Sequence, residues 1–315
     1  MIRANLLHLS YNMWRDTEPP PGCPDSERDI HYRPSLRCDH ALWRECIGRM
    51  SDAGMNMAVI DVGDGVRYES HPEIAIAGAW TVSQLRDELA CCRDHGVEPI
   101  PKLNFSACHD AWLGECSRKV STPEYYTVCR DLIEETVRLF DGPRFFHLGM
   151  DEETYAHQTR FRYAVVRHAD LWWEDLNFLV QRVEDAGSRA WVWSDVLWHC
   201  GRDVFSRNMP RTVLQSNWYY DVKFPEHDAP DAVNAFAWLE EMGYQQAPTG
   251  STWSSRENYP LLVAHCARHV SQANLLGFMM ADWRPMTDRW RTVHLDAIAV
   301  TSAAHRDAVP PADVS

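Results

Sequence analysis

The sequence predicts an α/β fold, a single-domain (β/α)8 TIM barrel, and three observations predict it. Eight apolar, strand-like runs alternate with helical patterns almost to the end of the chain. The 315 residues suit one large unit of this kind. No glycine-rich phosphate turn follows the first run, which disfavours an open doubly wound sheet. The barrel is expected over residues 1–308 and a flexible tail over residues 309–315, in the closing AVPPADVS.

The first strand is read at residues 5–13, and the long Pro-rich segment 17–34 after it would arch over the barrel mouth. A helix at 39–53 stops at Ala53-Gly54, and strand two follows at 56–62. The loop 63–80 leads to a helix at 81–95, stopped by His95-Gly96, and to strand three at 97–104. After the loop 105–120 the helix signals are plain. Ser121 or Thr122 caps, Pro123 suits the first turn, and Val128, Leu132, Ile133, Val137 and Phe140 recur at helical spacing. Strand four is read at 144–151, a helix at 171–186 and strand five at 189–195. Residues 201–208 make a poor helix. Strand six (212–219), a helix (228–242), a weak seventh strand (247–252), a helix (259–271), strand eight (274–283) and a last helix (288–304) complete the alternation.

Charge narrows the function. Lys and Arg number 31 against 45 Asp and Glu, a formal charge of −14, which argues against nucleic acid and against an anionic membrane as partner. No run approaches 18 apolar residues, and the start lacks the apolar core and cleavage site of a signal peptide. Ten scattered cysteines then read as reduced thiols, and the expected location is cytoplasmic. Fourteen tryptophans fit either an aromatic core or a carbohydrate site, where ring faces stack on sugars; composition alone favours the core.

The stretch RFFHLGMDEETY, residues 144–155, runs apolar residues into three consecutive acids. Adjacent carboxylates repel, and a buried one is costly unless paired, so either the strand ends in solvent there or the acids gather at a site. Alternate barrel residues face inward, which puts His147, Gly149 and Asp151 on one face, with Asp151 at the C-terminal end where barrel enzymes build their sites. Glu152 belongs to the turn. The same alternation groups Trp191, Trp193 and Asp195 on strand five and Gln215, Asn217 and Tyr219 on strand six. Lys102 and Asn104 end strand three, and Asp282 and Trp283 end strand eight. Agreement across five strands lifts the reading of a site over that of solvated ends. His147 is as readily a core histidine, and Glu153 reads as a solvated neighbour of the pair.

HLGMDE is similar to the His-x-Gly-Gly-Asp-Glu motif of glycoside hydrolase family 20, the β-N-acetylhexosaminidases, at the matching end of strand four. Trp193-Ser194-Asp195 resembles that family's strand-five tryptophan and acid, Tyr219-Tyr220-Asp221 its Tyr-x-Asp segment, and His109 its loop histidine. The resemblance implies a retaining, substrate-assisted hydrolase that removes a terminal β-linked N-acetylhexosamine. Glu152 would be the general acid/base, with a raised pKa, and Asp151 would orient the substrate's acetamido nucleophile. Tyr219 would hold the acetamido oxygen, and His109, with Asp61 or Asp64, would tune Glu152. Trp193, Trp253 and Trp283 would wall the sugar pocket, with Asn104, Asp195, Asp221 and Asp282 as further substrate-binding positions.

Departures are visible. Met150 stands at the motif's second glycine, Arg15 is only a candidate for the family's sugar-gripping arginine, and Trp283-Arg284-Pro285 lacks the acid of the family's Trp-x-Glu. No accessory domain of the kind usual ahead of that family's barrel is expected here. A related barrel glycosidase using two carboxylates on another sugar is therefore the first alternative, and a non-catalytic carbohydrate-binding barrel the second. A metal hydrolase is the rival enzyme class, because His265 and His269 sit four apart on an expected helix; no Glu follows the first, and solvated helix positions are the plainer reading. No cofactor and no metal is expected. The expected partner is a glycoside or oligosaccharide, with a homo-oligomer left open.

Overall fold

The computed structural model describes residues 1–307, so the tail expected at 309–315 lies outside the described residues. Eight parallel strands form one sheet in the order β6-β5-β4-β3-β2-β1-β8-β7. They are β1 (Ile2–His8), β2 (Met57–Asp61), β3 (Glu98–Lys102), β4 (Phe145–His147), β5 (Arg189–Trp193), β6 (Leu214–Ser216), β7 (Thr249–Gly250) and β8 (Gly277–Ala281). The wall closes between β6 and β7 through Gln215 opposite Gln246 and Trp218 opposite Thr249. Pro248 has no amide hydrogen to donate beside that closure, and β7 is only two residues long. The expected (β/α)8 barrel is the observed fold, with each strand shorter than its apolar run.

The described residues hold ten α-helices: α1 (His40–Asp52), α2 (Val82–Asp94), α3 (Pro123–Leu139), α4 (Tyr155–Gln158), α5 (Asp170–Asp185), α6 (Val196–Cys200), α7 (Arg202–Asn208), α8 (Asp231–Glu241), α9 (Asn258–His269) and α10 (Arg291–Asp307). Their starts follow capping chemistry. Asp39 accepts from the amides of Ala41 and Leu42, Thr81 and Gln84 form a reciprocal capping box, and Thr122 accepts from Tyr125 N ahead of Pro123. The segment read as a poor helix becomes two short ones, α6 and α7. Among the described residues no helix is long and apolar enough to cross a membrane. All ten cysteines are free thiols.

Two proline positions shape the wall at one place. In a parallel ladder alternate residues donate to alternate neighbours. Glu98 N bonds Asn56 O on the β2 side, whereas Leu103 N bonds His147 O at 3.0 Å on the β4 side. Pro99 and Pro101 share the parity of Leu103 and lack the hydrogen, so β3 and β4 pair at the single position Lys102 opposite His147.

Apolar residues fill two shells. Outward strand residues such as Leu7, Ala58, Ile60 and Val192 pack on the helices, and Leu6, Val59, Ile100, Trp191, Leu214 and Met279 fill the barrel itself. Above the inner shell sits a buried polar belt. Lys102 Nζ bonds the Asp61 carboxylate, with His8 Nδ1 at 3.6 Å from the same oxygen. Burial pushes Asp61 upward, but Lys102 and His8 outweigh it and leave the carboxyl below its ordinary value. His147 completes the belt as a buried core histidine, held neutral by burial and by the Lys102 charge.

Candidate active site

Past His147 the chain leaves the ladder through three left-handed residues, Gly149 (φ +73°), Met150 (φ +72°) and Glu152 (φ +56°). This turn, not strand alternation, aims Asp151 into the mouth. Only glycine fits at 149, because a Cβ there would lie 2.0 Å from Asn104 Oδ1. Met150 occupies a conformation that disfavours a side chain, at about 1 kcal/mol or more, and its buried side chain packs in the outer shell. Backbone strain of this kind gathers at functional sites, and Trp283 (φ +51°) adds a third non-glycine case across the mouth.

The three acids separate into two roles. Asp151 accepts from Asn104 Nδ2 at 2.8 Å and lies 3.6 Å from His109 Nε2. Glu152 Oε2 is 3.2 Å from His109 Nε2 and 3.1 Å from His157 Nε2. Thr154 Oγ1, 2.8 Å from His157 Nδ1, fixes that ring. Glu153 turns away from the mouth. It accepts from Ala107 N at 3.0 Å and pairs with buried Arg167, which also holds Asp175 at 3.1 Å and the Phe105 carbonyl at 2.7 Å. The expectation of a solvated Glu153 is corrected: it is half of an internal ion pair.

Protonation departs from the sequence reading as well. Burial pushes Glu152 upward, but the hydrogen bond from His109 and the charges of His109, His157 and Arg160 outweigh it, so its carboxyl sits below the ordinary value instead of above it. Burial disfavours a charge on His109, yet Asp151 and Glu152 prevail and raise its pKa. The raised carboxyl is Asp195, pushed up to about 8 by burial and then by the Asp151 charge. The shifts thus favour a proton on Asp195 and on His109 over one on Glu152. Asp61 and Asp64, expected to act on His109, bond elsewhere: Asp61 holds Lys102, and Asp64 accepts from Ser10 and from Asn12 Nδ2 at 2.9 Å.

Over these groups lies a cavity of about 610 Å³ lined by Asp151, Glu152, His157 and the rings of Tyr11, Trp14, Trp218, Tyr220, Trp253 and Trp283. Trp283 is seated from below by Trp193 (centroids 5.8 Å) and from the side by Trp14 (5.6 Å), while Tyr11 Oη donates to the Trp283 carbonyl at 2.7 Å. Trp253, 58% exposed, forms the outer lip. Trp193 is buried beneath the cavity and not on its surface.

Four expected positions are corrected. The inward set on β6 is Leu214, Ser216, Trp218 and Tyr220, one residue out of step with the sequence reading. Tyr219 therefore packs on Phe224 behind the wall, and Tyr220 lines the cavity, its hydroxyl accepting from Trp283 Nε1 at 3.0 Å. Asp221 is exposed and caps its own turn through Val222 N at 2.6 Å. Asp282 points outward from β8 and bonds His294 Nδ1 at 2.6 Å. Asp195 is buried and accepts from Glu152 N at 2.8 Å, so it sets the backbone of the acid and does not face the cavity. Tyr11, Trp14, His157, Trp218 and Tyr220 were not singled out from the sequence. Counting β6 alternation from Leu214 would have found the last two.

No family profile matches the sequence, and no curated protein matches it. Solved structures do share its architecture, family 20 glycoside hydrolases among them. An exo-β-N-acetylglucosaminidase from Vibrio harveyi, solved with N-acetylglucosamine, superposes with a TM-score of 0.64 at 12% identity over 96% of this chain and 54% of the enzyme. The β-N-acetylhexosaminidase of Streptomyces coelicolor A3(2) gives 0.64 at 13% identity, over 95% of this chain and 64% of that one. Dispersin B gives 0.55 at 15% identity, over 87% of this chain and 95% of its own length. This chain thus spans about half the length of the Vibrio harveyi enzyme. At these identities the likeness is one of fold: a family 20-like barrel.

Proposed function

We propose that the protein is a retaining glycoside hydrolase that releases a terminal β-linked N-acetylhexosamine with help from the substrate's own acetamido group. One observation carries the reading: Asp151 and Glu152 stand side by side on the floor of an aromatic cavity, each held by its own polar partners. In the first step the acetamido oxygen attacks C1, the C1–oxygen bond to the leaving group breaks, and Glu152 gives that oxygen a proton. Asp151 accepts from the acetamido N–H and balances the positive charge of the cyclised intermediate. Tyr220 takes the place at the acetamido oxygen that sequence reading gave to Tyr219. In the second step Glu152 removes a proton from water, which attacks C1 and reopens the ring. Glu152 starts ionised, so its first proton comes from His109, 3.2 Å away, as substrate displaces water and disfavours the carboxylate.

The test is activity on a panel of chromogenic glycosides. N-acetyl-β-hexosaminides are expected to be cleaved, with inhibition by a thiazoline mimic of the intermediate. Glu152→Gln is expected to lower kcat/KM by ~10²–10⁴-fold, more for poor leaving groups than for activated aryl ones. Asp151→Asn should slow both kinds similarly. Equal activity on glucosides lacking the acetamido group, with a glycosyl ester trapped on a carboxylate, would overturn the mechanism. One observation favours a second reading: ligand atoms of His109, Asp151 and Glu152 lie within 4.8 Å of one another, as in a metal-assisted hydrolase. Metal analysis of protein purified without chelator separates the two; a stoichiometric metal whose removal abolishes activity would select the second.

A further inference from the structure

Three guanidinium groups reach the mouth that holds the two acids: Arg15 after β1, Arg160 after α4 and Arg284 after β8. In a chain of formal charge −14 this is a local concentration of cations. None is well satisfied by the protein. Arg284 Nε is buried without a hydrogen-bond partner, and Nη1 reaches only the Trp283 carbonyl at 3.1 Å, with the group lying 4.4 Å over the Trp290 ring. Arg15 Nε is also buried and unpartnered, and its nearest acid, Glu27, is 3.5 Å away and half exposed. Arg160 forms no ion pair among the described residues.

Two contacts gather these groups on one side. Arg162 Nε donates to Asp16 Oδ2 at 3.0 Å, pinning the loop that carries Arg160 to the loop that carries Arg15. Beneath Arg284, Trp290 Nε1 donates to Asp29 Oδ2 at 2.8 Å, in the loop against which Arg15 also leans. Trp218, Tyr220 and Trp253 line the same cavity. The floor acids account for the cations only in part: Arg160 adds to the field at Glu152, but His109, His157 and Asn104 make the direct contacts with the acids. Sugar hydroxyls are weaker partners for three half-buried, under-satisfied guanidiniums, whereas an oxyanion supplies paired acceptors in the planar geometry arginine prefers.

We propose that the pocket takes a glycoside carrying an oxyanion, a sulfate, phosphate or carboxylate, bound by Arg160, Arg284 and Arg15. This rests on the glycosidase reading of the same cavity. The oxyanion stands either on the sugar released or on the residue to which it is joined, and the test has an arm for each. The first arm compares 4-nitrophenyl N-acetyl-β-glucosaminide with its 6-sulfate. The second compares N-acetylglucosamine β-linked to glucuronic acid with the neutral disaccharide of N-acetylglucosamine. In one arm the charged substrate is expected to have the higher kcat/KM by about tenfold or more, a preference that shrinks as salt rises. Arg284→Gln and Arg160→Gln should each cut the charged-to-neutral ratio by about tenfold. Equal kcat/KM for charged and neutral substrates in both arms, or a ratio unmoved by both substitutions, would overturn the inference and leave the hydrolase reading intact. Calorimetry with N-acetylglucosamine, its 6-sulfate and glucuronic acid reads the same preference without turnover. Tighter binding of a charged ligand, lost in Arg284→Gln, would uphold the oxyanion site even if no glycoside were cleaved. Equal binding of charged and neutral ligands would refute it.

Discussion

Gly149→Ala tests how tightly the acid pair is built into the wall. The added Cβ would meet Asn104 Oδ1 at 2.0 Å, Cγ at 2.3 Å and the backbone Cα at 2.8 Å. Rotating the Asn104 side chain away relieves the first two overlaps but not the third, so the backbone has to move. Alanine at φ +73° adds about 1–2 kcal/mol, and overpacking that forces a backbone shift adds about 1–3 kcal/mol. Losing the Asn104 bond to the Asp151 carboxylate adds about 1.5–3 kcal/mol. Because these effects overlap, the expected destabilisation is about 4–6 kcal/mol, read from urea unfolding followed by tryptophan fluorescence. Activity should fall with it, since Asp151 loses its positioning bond. In an Asn104→Ala background the same substitution should destabilise less, because two of the three overlaps are gone. A loss under about 1 kcal/mol with full activity, or an equal loss in both backgrounds, would show that the close approach of residues 104 and 149 does not hold in solution.

Tyr220→Phe should lower kcat/KM by at least about tenfold while Tyr219→Phe stays within a few-fold; the reverse ranking would restore the sequence-based register of β6. Arg167→Met leaves Glu153 and Asp175 buried without their cation and should destabilise by about 3–5 kcal/mol in denaturant unfolding; a change within experimental error would refute the internal ion pair. Asp195 is held near 8 in the folded protein, well above an unfolded aspartate at about 3.9. The stability it contributes is therefore fully present below about pH 4 and is lost as pH rises toward 8. Asp195→Asn, which keeps an acceptor for Glu152 N, should flatten that slope in urea midpoints taken across the window, and an unchanged slope would count against the buried proton.

The alternation of apolar runs and helical patterns carried the barrel, because strand pairing and helix capping are local chemistry. Asp151, Glu152, Trp253 and Trp283 line one cavity, whereas Asn104, read as a substrate-binding position, and His109 lie buried behind the acids as their polar partners. The misreadings share one cause. A period of two has no fixed phase where a strand is short, so β6, three residues long, was counted from the wrong member and Tyr219 exchanged with Tyr220. Asp282 was judged by its position at a strand end, which says nothing of which face it takes. Its bond to His294, twelve residues on, is a tertiary fact. The charge state of Glu152 was equally out of reach, because it depends on His157 and Arg160 folding back over the mouth. The partner of Glu153 was hidden too, since Arg167 lies fourteen residues away in an irregular segment.

The prolines of β3 give the acid pair a second duty. Where the backbone ladder between β3 and β4 is thinnest, the join is carried by Asn104 to Asp151, His109 to Glu152 and Arg167 bracing Phe105 against Glu153. The groups that would do the chemistry are thus also fasteners of the wall. A change that retunes the site at this boundary also loosens the barrel, so reactivity and stability cannot drift independently here. Trp218, Tyr220 and Trp253 lie beyond β6 and β7, away from that join, and there specificity is free to change without loosening the β3–β4 boundary.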